Sequence, residues 1–276
     1  VSILHVLKVE RKPQLHVSGL EMLSKCGEQY RRVYVEHERA IPGVAMLVGT
    51  STHKSVTKNL GNKIRDGVLL PLEEIKDAAR DALVNEWQGG VKLDDDEMKE
   101  GIAKVKAAAI DKAVRLSALH AVKTAPEIRP THVERHWVVE LPGYPVDLAG
   151  AMDIQEGSLS VRDTKTAAKT PSKTIADESL QLTAYALAAK VIDGKCVERV
   201  QLDYLIDKAE PEAKAFASTR DDDDFKTLLL RIERAVIATE KGVFIPARET
   251  DWWCSPKYCG FHGSCPFVRQ PKQFAV

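Results

Sequence analysis

The sequence predicts a mixed α/β fold, one domain over residues 1–276 in which helices cover a mixed sheet. Three observations carry this. The first half of the chain reads in helical periods. After about residue 130 it breaks into short β-branched segments bounded by Pro or Gly. A helix, a strand and a helix then precede a cysteine-rich tail.

The elements follow in chain order. SGLEMLSKCGEQYRRVYVE (18–36) reads as a helix, with Ser18 as N-cap and Glu21 three residues on completing a capping box. VAMLVGTSTHKSVTKNL (44–60) is a second helix, with Gly49 and His53 four apart on one face. PLEEIKDAARDALVNEW (71–87) and the Ala- and Lys-rich stretch from Asp94 to about Val122 are further helices, the latter favoured by acids at its positive N-terminal end. THVERHWVVEL, YPVDLAGAMDIQ and SLSVRDTKTA read as three antiparallel strands, with EGS (156–158) turning between the second and third. DESLQLTAYALAAKVI (177–192) is a helix and VERVQLDYLID (197–207) a strand. DDDDFKTLLLRIERAVIATEKG (221–242) is a capped helix ending at Gly242. The domain thus divides into a helical part (17–125), a core (130–245) and a cysteine-rich segment (246–270).

Charge excludes one simple argument. With 40 basic and 40 acidic residues the net charge is zero, so bulk charge does not point to nucleic acid. Such contacts need local patches or a metal bridging carboxylates to phosphate. No apolar run approaches the roughly 20 residues of a membrane span, and VSILHVLKVERK is too short and too charged for a signal peptide. The expected location is the cytoplasm, without a membrane partner, where clustered thiols hold metal more often than they form disulfides.

The chemistry gathers on the second hairpin. Asp163 and Lys165 stand two apart on one strand and share a face, and a three-residue turn brings Asp153 across to Asp163. Facing carboxylates repel unless a cation lies between them, and hard oxygen donors suit Mg²⁺ or Mn²⁺. An ammonium beside them can orient an attacking water and stabilise charge building on a phosphate. Asp163 and Lys165 are expected at a solvent-facing site. Gln181 and Tyr185, four apart on the next helix, can reach the same cleft, and His53 offers an imidazole as ligand or base.

The ordered set GxxxH (Gly49, His53), GxxD (Gly150, Asp153), DxK (Asp163, Lys165) and QxxxY (Gln181, Tyr185) resembles the RecB-like branch of the PD-(D/E)xK nuclease superfamily. It is especially similar to the CRISPR-associated RecB-like exonucleases and their phage relatives, over residues 18–266. The resemblance implies a restriction-endonuclease-like sheet and a metal-dependent exonuclease acting on single-stranded DNA or DNA ends. Asp153, Asp163, the Thr164 carbonyl and His53 would hold Mg²⁺ or Mn²⁺, Lys165 would position the water, and Gln181 and Tyr185 would hold substrate or the lysine strand. It also implies recombination or CRISPR-type partner proteins and admits an oligomer. Asp163 departs from the Glu of many relatives, and Glu134 matches an often acidic position without an assigned role. Lys169 and Lys173 offer a local phosphate-contacting strip. The rival readings are a non-catalytic DNA-end-binding or assembly subunit, and an endonuclease that trims DNA before integration.

CSPKYCGFHGSC (254–265) places three of the five cysteines in twelve positions. A fourth ligand must come from Cys26, from Cys196 or from His262 in a Cys₃His zinc site. In the family resembled here, an N-terminal cysteine followed by an aromatic residue and Arg joins three C-terminal cysteines around a [4Fe–4S] cluster. Cys26, Tyr30 and Arg31 match, so the resemblance implies a cluster on Cys26, Cys254, Cys259 and Cys265 that joins the two ends of the chain, with zinc as the alternative.

Overall fold

The computed structural model describes residues 12–269; the reading of VSILHVLKVER as no signal peptide lies outside them. Its centre is a six-stranded mixed sheet of β1 (Gln14–His16), β2 (His132–Val139), β3 (Asp147–Glu156), β4 (Ser160–Ala167), β5 (Arg199–Ile206) and β6 (Glu212–Ser218). The order is β1–β3–β4–β5–β6, with β2 also on β3. β1/β3 and β4/β5 are parallel, and the other pairs are antiparallel.

The helices are α1 (Val17–Lys25), α2 (Gly27–Tyr30), α3 (Val44–Asp66), α4 (Leu72–Gln88), α5 (Asp95–Glu100), α6 (Ile102–Lys123), α7 (Leu180–Asp193) and α8 (Asp222–Glu240). One core joins the sheet to α1, α7 and α8 through Leu20, Met152, Val161, Leu182, Leu202 and Leu228. A second packs α3, α4 and α6 through Leu47, Leu83 and Leu116 and reaches the sheet at Leu205.

The connectivity of β3 makes a fork. β2 pairs with residues 148–155 of β3, so it occupies one edge. β4 takes 154–156 and β1 takes 147–149; both ranges overlap that of β2, so both strands lie on the opposite edge. Past the pair Ile154↔Arg162, β4 parts from β3 and runs on with β5 to Ala167. Asp153 and Asp163 stand at the opening.

Several elements differ from the sequence reading. α1 begins at Val17, so Ser18 lies inside it and caps nothing; its Oγ lies 3.0 Å from the Tyr34 hydroxyl. The expected single helix over 18–36 breaks at Cys26, whose φ of −158° and ψ of 107° are extended, and it resumes as α2 and a π-turn over Arg31–Val35. The break has a tertiary cause. The chain at 244–245 crosses here, Gly27 N–H donates to the Ile245 carbonyl at 2.7 Å, and a Cβ on Gly27 would stand 2.5 Å from the Ile245 nitrogen.

The helix from Asp94 is likewise two helices. Asp94 and Glu97 form a capping box on α5, and Gly101, at φ 89°, ends it before α6 starts. The short β1 and the Ala-rich β6 carry little strand propensity and form by pairing at the sheet's edges.

Candidate active site

Register builds the site from three strands. Val133↔Ile154 and Arg135↔Met152 place Glu134 opposite Asp153 on one side. Continuing one step from Ile154↔Arg162 places Asp163 opposite Asp153 on the other. Three acids therefore lie in a row across β2, β3 and β4. Glu134 has φ 49°, the left-handed region, which costs a residue with a Cβ about 1–2 kcal/mol. Strain of this kind is retained where the surrounding structure holds it, often at functional sites.

His53, from α3, closes over the row. Its Nδ1 lies 3.2 Å from Asp153 Oδ2, and its Nε2 contacts Glu134 Oε1. Burial disfavours charge on the imidazole, but the hydrogen bonds to Asp153 and Glu134 outweigh it and push the pKa up to about 10. Ligand atoms of His53, Glu134 and Asp153 all lie within 4.8 Å of one another, a grouping that could hold a metal ion.

Asp163 is 1% exposed. Burial and the Asp153 charge hold its carboxyl well above the usual range, against the pull of Lys165. Asp153 is held low: burial opposes ionisation, and contact with His53 overcomes it. Two facing carboxylates with opposed shifts are the arrangement a divalent ion relieves, so the residues present fit one. The solvent-facing site expected for Asp163 and Lys165 is corrected here. The acid is buried beneath the fork, and only the lysine, 39% exposed in its side chain, reaches water.

A chain of contacts ties lysine to acid. Lys165 Nζ lies 2.8 Å from Asp163 Oδ2 and donates to Gln181 Oε1 at 2.8 Å. Gln181 Nε2 donates to the Tyr185 hydroxyl at 2.7 Å, which donates to Asp153 Oδ1 at 3.3 Å. Gln181 and Tyr185 thus meet the lysine and the acid, one turn apart on α7. Thr164 N–H donates to Asp153 Oδ2 at 3.3 Å, and the Thr164 hydroxyl is buried without a partner.

Gly49 is not sterically required, since a Cβ there would meet only Thr166 Oγ1 at 3.4 Å. Lys169 and Lys173 are exposed on the loop after β4. Glu134 is the site residue to which the sequence assigned no role; neither its backbone conformation nor its contact with His53 has a signal in THVERHWVV.

Away from the acid row, Cys26, Cys254, Cys259 and Cys265 line one small cavity with Glu28 and Arg32. Burial and the neighbouring cysteines push the Cys254 thiol up, and burial does the same at Cys259. Glu28, buried, accepts from Arg31 and Arg32, and Arg32 donates to Ser264 Oγ and to the Ser264 carbonyl. Cys196 is exposed elsewhere. His262 does not line the cavity.

Facing carboxylates that can hold a divalent cation, with an ammonium beside them on a forked mixed sheet, are suited to metal-assisted hydrolysis of phosphate esters. The sequence agrees. The model of the PD-(D/E)XK nuclease superfamily matches residues 14–266, so the chain belongs to that superfamily, and membership supports metal-dependent nuclease activity. Among solved structures, a candidate exonuclease from Eubacterium rectale shares the fold at a TM-score of 0.53, with 15% identity over 87% of this chain and 86% of that one. The structure of SSO0001 matches over 96% of this chain and 92% of that one at 14% identity, with a TM-score of 0.43. The comparison with curated proteins gave no match. No helix among the described residues is long and apolar enough to cross a membrane.

Proposed function

We propose that the protein is a Mg²⁺- or Mn²⁺-dependent DNA exonuclease of the RecB-like branch, acting in the cytoplasm on single strands or strand ends. The observation that carries this reading is the acid row Glu134–Asp153–Asp163 beneath His53, with Lys165 wired to Asp153 through Gln181 and Tyr185.

Asp153, Asp163, the Thr164 carbonyl and His53 would hold the ion, with Glu134 orienting His53. Bound there, a divalent ion supplies Lewis acidity toward the scissile phosphate and neutralises the charge that grows on it. Hydrolysis adds water across one P–O bond: the water oxygen attacks phosphorus, the bond to the leaving oxygen breaks, and that oxygen ends protonated. Lys165 orients the water and faces the growing negative charge, while Asp163 keeps the ammonium in place. Gln181 and Tyr185 fix Lys165 relative to Asp153, so the two strands of the fork keep their spacing.

We further propose a [4Fe–4S] cluster on Cys26, Cys254, Cys259 and Cys265. Its support is the one small cavity that these four cysteines line, with zinc as the alternative occupant. The cluster and the arginine clamp on Ser264 would bind the tail to the core as one domain, and recombination or CRISPR-type proteins are its expected partners.

The test uses oligonucleotides labelled at either end, with Mg²⁺, with Mn²⁺ and with neither, beside circular single-stranded DNA. Metal-dependent shortening of linear strands with intact circles supports the exonuclease. Cut circles mean an endonuclease. Binding without cleavage in either metal means a non-catalytic end-binding subunit.

A further inference from the structure

β2 turns over at Glu134. In a regular strand residues two apart face the same side. Here Val133 packs with Val56 and Leu60 of α3, whereas Arg135 reaches Asp193 at the end of α7. The residue between them is Glu134, at φ 49°. The reversal leaves its carboxylate against α3, where His53 Nε2 meets it. His53 is the only hydrogen-bond or ion-pair partner of the Glu134 side chain among the described residues.

An imidazole carries its two nitrogens on different edges of the ring, so the partner of one decides what the other can bind. Glu134 takes Nε2, and Nδ1 faces Asp153 Oδ2 at 3.2 Å. The other donors of the proposed ion position, Asp163 and the Thr164 carbonyl, belong to β4, which lies across β3 from Glu134. The Nδ1 edge therefore looks toward three oxygen donors, and the Nε2 edge meets one carboxylate. A carboxylate that accepts the second N–H of a ligating histidine fixes its tautomer and orientation and makes the ring a better donor.

We propose that Glu134 is a positioning residue that acts through His53. It holds the Nε2–H, keeps the Nδ1 lone pair on the ion, and so tilts the site from Mg²⁺ toward Mn²⁺. The preference follows from the donor: Mg²⁺ is a hard ion bound by oxygen, and Mn²⁺, a transition ion, accepts imidazole nitrogen more readily. The assignment rests on the metal-dependent nuclease reading and deepens it by naming what holds the nitrogen ligand in place.

The test measures binding of Mn²⁺ and Mg²⁺ alone, without DNA, to wild type, Glu134→Ala, Glu134→Gln, His53→Ala and the His53→Ala, Glu134→Ala double variant. The EPR signal of free Mn²⁺ gives affinity and stoichiometry, competition gives Mg²⁺, and spin-echo modulation from nitrogen reports imidazole on bound Mn²⁺. Wild type should bind a single Mn²⁺ with the nitrogen signal. Glu134→Ala should weaken Mn²⁺ at least about tenfold, the scale of a lost outer partner, with Mg²⁺ changed by no more than about twofold. Glu134→Gln, whose carbonyl still accepts from Nε2, should keep the nitrogen signal and lie between the two. On the His53→Ala background Glu134→Ala should change nothing, because the ring it acts through is gone.

Two ions in wild type and one in Glu134→Ala would make Glu134 a ligand and overturn the assignment. Equal losses of Mn²⁺ and Mg²⁺ in Glu134→Ala, or a further loss when it is added to His53→Ala, would overturn it too. Each leaves the nuclease reading standing. A wild type that binds neither ion and cuts no DNA would sink the nuclease reading and the assignment with it. Should Glu134→Ala not fold, Glu134→Gly removes the same carboxylate, accepts the left-handed backbone and is held to the same outcomes.

Discussion

Asp163 is the acid of the site whose burial and neighbours most directly oppose its ionisation. It is buried, faces Asp153 and has its carboxyl held well above the usual range by burial and by that neighbour. A carboxyl whose folded pKa is raised contributes stability below its unfolded pKa and loses it as pH rises through the folded value. At neutral pH without metal, its ionisation therefore opposes folding. Asp163→Asn should raise the unfolding midpoint in EDTA while abolishing cleavage; a lower midpoint would show that the Lys165 pair outweighs the repulsion. His53 obeys the same sign. Its contribution is fully present below its ordinary value of 6.5 and is lost as pH rises through about 10. In EDTA, wild type should lose stability across that window. His53→Asn should flatten this part of the profile, and an unchanged profile would mean the imidazole is not held charged.

At the scale of elements, two local departures from regular structure do the positioning. Glu134 leaves the strand region within β2, and the carboxylate so placed meets His53. Glycine accepts that backbone conformation where alanine does not, so Glu134→Gly should be more stable than Glu134→Ala by about 1 kcal/mol, read by urea unfolding. Both should lose activity. Equal stabilities would remove the strain from the account. Cys26 interrupts the helix between α1 and α2, where Gly27 admits the backbone at 244–245. Gly27→Ala places a Cβ within 2.7 Å of three backbone atoms, so the crossing segment must shift. A loss of several kcal/mol is expected, on the scale of severe overpacking, together with faster proteolysis of the tail. A wild-type midpoint and digestion pattern would show that the crossing is loose.

Over the whole molecule, two long-range closures act at different places. The fork lets Asp153 be reached by His53 of α3 and by Tyr185 of α7, so both helical layers meet on one acid. The cysteine cavity brings residue 26 to residues 254–265, and the clamp from Glu28 through Arg32 to Ser264 holds the same segments together. If the cavity holds a [4Fe–4S] cluster, the anaerobically purified protein is brown with about four irons per chain. Cys26→Ala then loses colour, iron and thermal stability, because metal that binds the folded arrangement contributes folding free energy. Cys196→Ala, at an exposed position away from the cavity, retains all three. Iron kept by Cys26→Ala and lost from Cys196→Ala would name the other cysteine as the ligand.

By itself the sequence determined what short-range periodicity and short loops decide. α3, α4, α7 and α8 follow from 3.6-residue patterning, and α8 carries the Asp221 cap and Gly242 at φ 65° that its ends announce. The sequence located the hairpin but put its turn at 156–158; the observed turn is 157–159, and that shift of one residue is what sets Asp163 rather than Val161 against Asp153. The i,i+4 spacing of Gln181 and Tyr185 sets them one turn apart. The tertiary structure alone decided the rest. Glu134 meets His53 because β2 and α3 pack together, not because of any local propensity at position 134. The helix breaks at Cys26 because a segment more than two hundred residues away crosses it. β6 is a strand because β5 presents an edge to Ala-rich residues with weak strand preference of their own. Asp163 is buried where β4 runs on with β5 after β3 has parted from it, a placement that only the assembled sheet makes. In each case the deciding contact joins residues distant in the chain, and no local window of sequence contains it.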